Sequence, residues 1–148
     1  MKKIALLVVG LVSVVVAAVA LGASTETYKI AAKLTPVTEV PKAHAPAAAG
    51  GTFTGTVKEN GAAKTLTWKL TYSHLSGAGL AAHLHQGKPG KSGPVIVSLC
   101  GPCSNGQTGS AHVTQAIVKA IESGAVYVNV HTKRNPAGEI RGQVAVVH

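Results

Sequence analysis

His83-Leu84-His85 sets two imidazoles two residues apart. On an extended strand that spacing puts both on one face, about 7 Å apart along the chain, within reach of one metal ion. A third ligand must then come from another strand. His131 ends the run Val126–His131 and shares a face with Tyr127 and Asn129, so it is the third candidate. Three imidazoles suit copper and, as second choice, zinc, because both accept imidazole nitrogen. The plainer account is that these are hydrogen-bonded or surface histidines, and both accounts stand at the level of sequence. His74 and His112 are candidates for an extra ligand, while His44 and His148 read as solvent-facing or structural.

Two other groupings invite a chemical reading. Cys100-Gly101-Pro102-Cys103 has the spacing of a redox dithiol, but Ser104-Asn105-Gly106 follows, which is loop sequence. A low-pKa redox cysteine needs a helix N-terminus or a similar positive environment. A short structural disulfide is the first reading, with metal ligation and oxidoreductase chemistry behind it. Its three-residue loop restrains little of the unfolded chain. Glu139 and Arg141 lie two apart on one expected strand face. They read as a structural ion pair or a backbone-capping pair, with a supporting role beside His131 as the alternative.

Composition narrows the rest. The chain has 148 residues, a formal charge of +9 and five acidic residues, all glutamate. The absence of aspartate excludes EF-hand loops, Walker-B magnesium sites and Asp-dependent hydrolases. No nucleophile elbow is present for acyl transfer. Basic residues are mostly scattered lysines, and the five aromatics do not interleave with them, which argues against nucleic-acid binding. Loose association with anionic cell-envelope components, or with an unidentified protein, fits the charge better.

Residues 1–23 read as a signal peptide. Lys2 and Lys3 precede residues 4–21, where only Gly10 and Ser13 interrupt the apolar run. Ala20, Gly22 and Ala23 supply small residues for cleavage. An uncleaved membrane anchor is the alternative, since 18 residues just reach bilayer-spanning length. Cleavage would leave 24–148 as one domain, periplasmic or secreted, with a charge of +7 from twelve basic and five acidic residues. Such a compartment lets thiols pair.

The elements that must hold the histidines read as short strands. Segments 28–34, 52–58, 66–72, 80–85, 95–99, 109–113, 126–132 and 139–147 carry strand patterning. Leu66, Trp68, Leu70 and Tyr72 alternate with Thr67, Lys69 and Thr71, which marks one buried face. Asn60-Gly61 signals a hairpin. Residues 114–123 have helical spacing and stop at Gly124. About eight strands with one short helix predict an all-β Greek-key sandwich or flattened barrel.

Several stretches together resemble the CHRD domain family, named after its occurrence in chordin. They are Leu34-Thr35-Pro36 with Glu39-Val40-Pro41, then Ala82-His83-Leu84-His85-Gln86-Gly87 followed by Gly93-Pro94-Val95. The closing stretches are Val126-Tyr127-Val128-Asn129-Val130-His131-Thr132 and Gly138-Glu139-Ile140-Arg141-Gly142-Gln143. The resemblance covers about residues 27–146 and implies an all-β sandwich with no general reaction. A more distant resemblance is to Cu/Zn superoxide dismutase. His83, His85 and Val130-His131-Thr132-Lys133 follow the order of that fold's copper histidines, and Gly138-Glu139-Ile140-Arg141 is loosely similar to its arginine-bearing segment. The dismutase zinc loop and its aspartate have no counterpart, so at most the copper half is matched.

Three functions remain open on this basis. They are an exported copper- or zinc-binding protein, a metal-free envelope binding or structural module, and a dismutase-like copper redox enzyme.

Overall fold

A computed structural model describes residues 25–147. The expected signal peptide and His148 lie outside them. The described residues form nine strands in two antiparallel sheets, with one helix. The strands are β1 (Thr25–Leu34), β2 (Gly50–Asn60), β3 (Ala63–Ser73), β4 (Ala81–Gln86), β5 (Val95–Cys100), β6 (Gln107–His112), β7 (Val126–His131), β8 (Ile140–Gln143) and β9 (Ala145–Val147), and the helix is α1 (Gln115–Glu122).

The five-stranded sheet has the order β6-β3-β2-β1-β9, and the four-stranded sheet β5-β4-β7-β8. After β3 the chain crosses to the second sheet for β4 and β5, then returns beside β3 as β6. After α1 it crosses again for β7 and β8 and returns at the opposite edge as β9. These sheet-crossing excursions meet the Greek-key sandwich expectation. No helix among the described residues is long and apolar enough to cross a membrane.

The core follows the alternation. Ile30, Phe53, Val57, Leu66 and Leu70 project from one sheet, and Leu84, Val128, Val130 and Ile140 from the other, all buried. Helix α1 adds Val118 and Ile121 to this core. Its start is capped by Thr114, whose side chain accepts the Ile117 N–H. Its end is a Schellman motif, with Gly124 N–H bonded to the Ile121 carbonyl and Ala125 N–H to Ala120.

Strand ends move by one to three residues, and two differences from the expectation alter the topology or the turn. The β2–β3 hairpin turns one residue later than the Asn60-Gly61 signal suggested. Asn60 still pairs with Ala63, and Gly61-Ala62 forms the loop, with Gly61 at φ 57°. The expected strand 139–147 is divided. β8 pairs with β7 and β9 with β1, because the chain changes sheets at the fully buried Val144. This division is why there are nine strands rather than eight.

β7 is the strand the alternation describes least well, since all five residues Val126–Val130 are buried. Its inward valines face the core. Its outward Tyr127 and Asn129 lie under loops 87–94 and 132–139, so the outer face of the four-stranded sheet is a second, polar interior. Leu84 ties the two interiors together, because it packs in the core while its neighbours His83 and His85 point to the polar side. Leu84→Ala is expected to cost about 2–5 kcal/mol through the cavity it leaves. The shift of the urea unfolding midpoint measures this, and a loss under about 0.5 kcal/mol would contradict the packing described.

Candidate metal centre

β4 and β7 are neighbours, and their register sets His83 opposite Asn129, His85 opposite Tyr127 and His131 opposite Ala81. The three histidines project from the same side of the sheet. Their ligand atoms all lie within 4.8 Å of one another. His83 Nδ1 stands 3.1 Å from His131 Nε2. Nitrogens bound to one ion at about 2.1 Å in tetrahedral or trigonal geometry lie roughly 3.4–3.6 Å apart, so a gap at the outer bound must close by roughly 1.3 Å.

Backbone carbonyls set two of the tautomers. His85 Nδ1 lies 2.9 Å from the Gly93 carbonyl, and His131 Nδ1 lies 2.9 Å from the Pro136 carbonyl. A carbonyl only accepts, so each Nδ1 carries the proton and each Nε2 keeps its lone pair. His85 Nε2 is buried and has no hydrogen-bond partner. An orphaned buried acceptor turned toward two other imidazoles is the arrangement a cation would satisfy. Burial holds the pKa of His83 and His131 below the ordinary histidine value. At His83 the neighbouring His131 and His85 add to the effect, and at His131 the Pro136 bond opposes it while His85 adds. Both rings are therefore neutral, and able to ligate, at neutral pH.

The loops that supply these carbonyls are themselves pinned. Arg141 lies 3.4 Å above the Tyr127 ring and donates from Nη2 to the carbonyls of Lys88 and Lys91. Tyr127 in turn stacks on His85, 4.8 Å between centroids and 5° from parallel. Gln143 donates to the carbonyls of Gly87 and Gly124. A side chain at Gly93 would collide with the Gln86 carbonyl, so that close approach needs glycine. The second loop, 132–139, is held by Glu139. Its carboxylate accepts from the backbone and hydroxyl of Ser76, the Thr132 hydroxyl and the Asn135 amide. Burial alone would raise the pKa of Glu139, but these hydrogen bonds outweigh it and hold the carboxyl below its ordinary value.

The expected ligands His83, His85 and His131 come together. The two expected extra ligands do not. His74 is exposed at φ 57°, beside Ser73 Oγ, and His112 is exposed on β6 in the other sheet. Glu139 and Arg141 are not an ion pair. Glu139 precedes β8 and turns into the 132–139 loop, whereas Arg141 turns toward Tyr127 and the 87–94 loop. Cys100 and Cys103 form a disulfide with Cα atoms 5.2 Å apart, at the end of β5 and away from any helix N-terminus. Their thiolates are therefore not ligands.

Glu39 was not singled out from sequence. It is buried under the polar layer near Arg141 and Asn129, with Oε1 unpartnered. Burial pushes its carboxyl up to about 7, against the pull of Arg141, the Val40 amide and Asn129. No periodicity marks a lone glutamate in a Pro-rich connection. Gln143, by contrast, shares strand parity with Arg141, a signal that could have found it, and Tyr127 does share the face of His131 as expected.

Glu39 makes a signed prediction. Its folded pKa exceeds the ordinary 4.5, so its contribution to stability is full below about pH 4.5 and is lost as pH rises through about 7. The loss amounts to roughly 3 kcal/mol. His83 and His131 act in the opposite sense in both wild type and Glu39→Gln, so the comparison isolates Glu39. Urea unfolding at pH 5 and 7.5 should show the variant gaining about 2 kcal/mol over wild type at the higher pH relative to the lower. Parallel pH profiles would refute this.

Against known families, the chain matches the family model described as CHRD domain over residues 30–144. No curated protein and no solved structure matches it.

Proposed function

The chain belongs to the CHRD domain family, and from that premise we propose that it is an exported protein that binds one copper ion through His83, His85 and His131. One observation carries the reading. Three imidazoles converge, two have their tautomers set by backbone carbonyls, and the buried Nε2 of His85 lacks a partner. His85 Nε2, His131 Nε2 and His83 Nδ1 would hold the ion. Copper is favoured over zinc because imidazole-only sites follow the general affinity order in which Cu²⁺ exceeds Zn²⁺. Export is supported by the layout of residues 1–23 and is consistent with the Cys100–Cys103 disulfide.

A bound copper would supply a Lewis-acidic and redox-capable centre. The protein's own share is to orient three donors and, by burial, to hold His83 and His131 unprotonated. Tyr127 fixes the plane of His85, and the Pro136 and Gly93 carbonyls fix which nitrogens face the site.

A second reading is a metal-free envelope module. It is favoured by the 3.1 Å approach of His83 Nδ1 to His131 Nε2, which a proton alone can bridge.

Titration of purified, chelator-treated protein with Cu(II) and Zn(II) separates the two. The copper reading expects one Cu(II) per chain, bound more tightly than about 1 μM, with nitrogen hyperfine coupling in its electron paramagnetic resonance spectrum. His83→Ala should weaken binding at least about tenfold, near 1.4 kcal/mol. Binding of neither metal below about micromolar concentration would leave the metal-free module as the better account.

A further inference from the structure

The outer face of the five-stranded sheet is chemically distinct from the rest of the molecule. Residues of β1, β2, β3 and β6 that alternate with the core project from it. None of the five glutamates does. Glu26 and Glu59 have the opposite strand parity, Glu122 lies on α1, and Glu39 and Glu139 belong to the other sheet's side. Four exposed lysines do project from it, namely Lys29, Lys33, Lys58 and Lys69.

The register spreads these lysines evenly. Lys33 is level with Thr52, and Lys69 with Thr54 and Thr108 in the next row. Lys29 is level with Thr56 in the third row, and Lys58 with Thr65 in the fourth. Each of four successive rows thus carries one lysine flanked by threonine. Rows on one face of a sheet are about 6.8 Å apart, so the positive charges form a track about 20 Å long along the strands. A shallow depression of about 850 Å³ lies on the middle of the track, bordered by Lys29 and Lys69.

We propose that this face docks a linear anionic polysaccharide laid along the strand direction. Charge complementarity supplies the attraction, since among the described residues the face projects four lysines and no glutamate. Threonine and serine hydroxyls between the lysines both donate and accept, which matches sugar hydroxyls. Single-stranded nucleic acid fits less well, because the face projects no Phe, Tyr or Trp on which bases could stack, and His112 is its one ring. A flat anionic bilayer fits less well because it leaves the depression unfilled. The proposal is independent of the metal reading, as the histidine cluster lies on the opposite sheet.

Binding of the purified protein to fluorescently labelled polygalacturonate, followed by anisotropy, tests it. Binding should be saturable and weaken as salt rises. The quadruple variant Lys29→Gln, Lys33→Gln, Lys58→Gln, Lys69→Gln should lose at least tenfold in affinity. A variant that removes equal charge elsewhere, at Lys88, Lys91, Lys119 and Lys133, should lose less than threefold. Circular dichroism confirms that both variants fold, and His83→Ala should bind the polymer as wild type does. Equal losses in the two lysine variants would reduce the effect to net charge and overturn the proposal. So would no binding at all, or tighter binding to single-stranded DNA or phosphatidylglycerol vesicles than to the polysaccharide.

Discussion

The four-stranded sheet has polar side chains on both a loop-covered face and its edges, and each buried polar atom there must find a partner or carry a cost of about 1–3 kcal/mol. This requirement shapes the site. Arg141, Gln143, Tyr127 and His85 all meet it by bonding to loop 87–94. Glu139 meets it by gathering Ser76, Thr132 and Asn135. The loops are thereby held, and the carbonyls they present select the imidazole nitrogens left free. Within this layer His85 Nε2, Arg141 Nη1, Glu39 Oε1 and Asn129 Oδ1 remain unsatisfied.

Much of the sandwich was legible because its outer five-stranded sheet is conventional. One face is core and the other is wet, so Leu66, Trp68 and Leu70 announce themselves by alternation. The helix was legible from its spacing and its glycine stop. The division of 139–147 was not, because changing sheets at Val144 leaves the strand pattern unbroken while exchanging the partner from β7 to β1. The turn displacement at Gly61-Ala62 is a choice between adjacent residues that local sequence determines weakly.

The three imidazoles were legible because strand periodicity controls direction. Their surroundings were less so, because loop contacts control them. Glu139 and Arg141 look like partners two residues apart, yet each has stronger claims on it from a different loop. The Glu139 carboxylate has four donors available at once, and the Arg141 guanidinium has an aromatic face and two carbonyls. Spacing along the chain reports which side of a strand a residue occupies. It does not report which distant loop will reach it.

The histidine cluster also imposes an order in time. His83 and His85 arise on one strand, but His131 is 48 residues beyond His83, and the carboxylate that steadies its loop comes later still. β9, which closes the five-stranded sheet against β1, follows after that. A chain made only as far as β6 holds two imidazoles and no carbonyl from Pro136 to orient a third. The three imidazoles therefore stand together only once β7 has paired with β4, across a crossing between sheets. The same long-range pairing makes folding slow relative to a helical chain of this size.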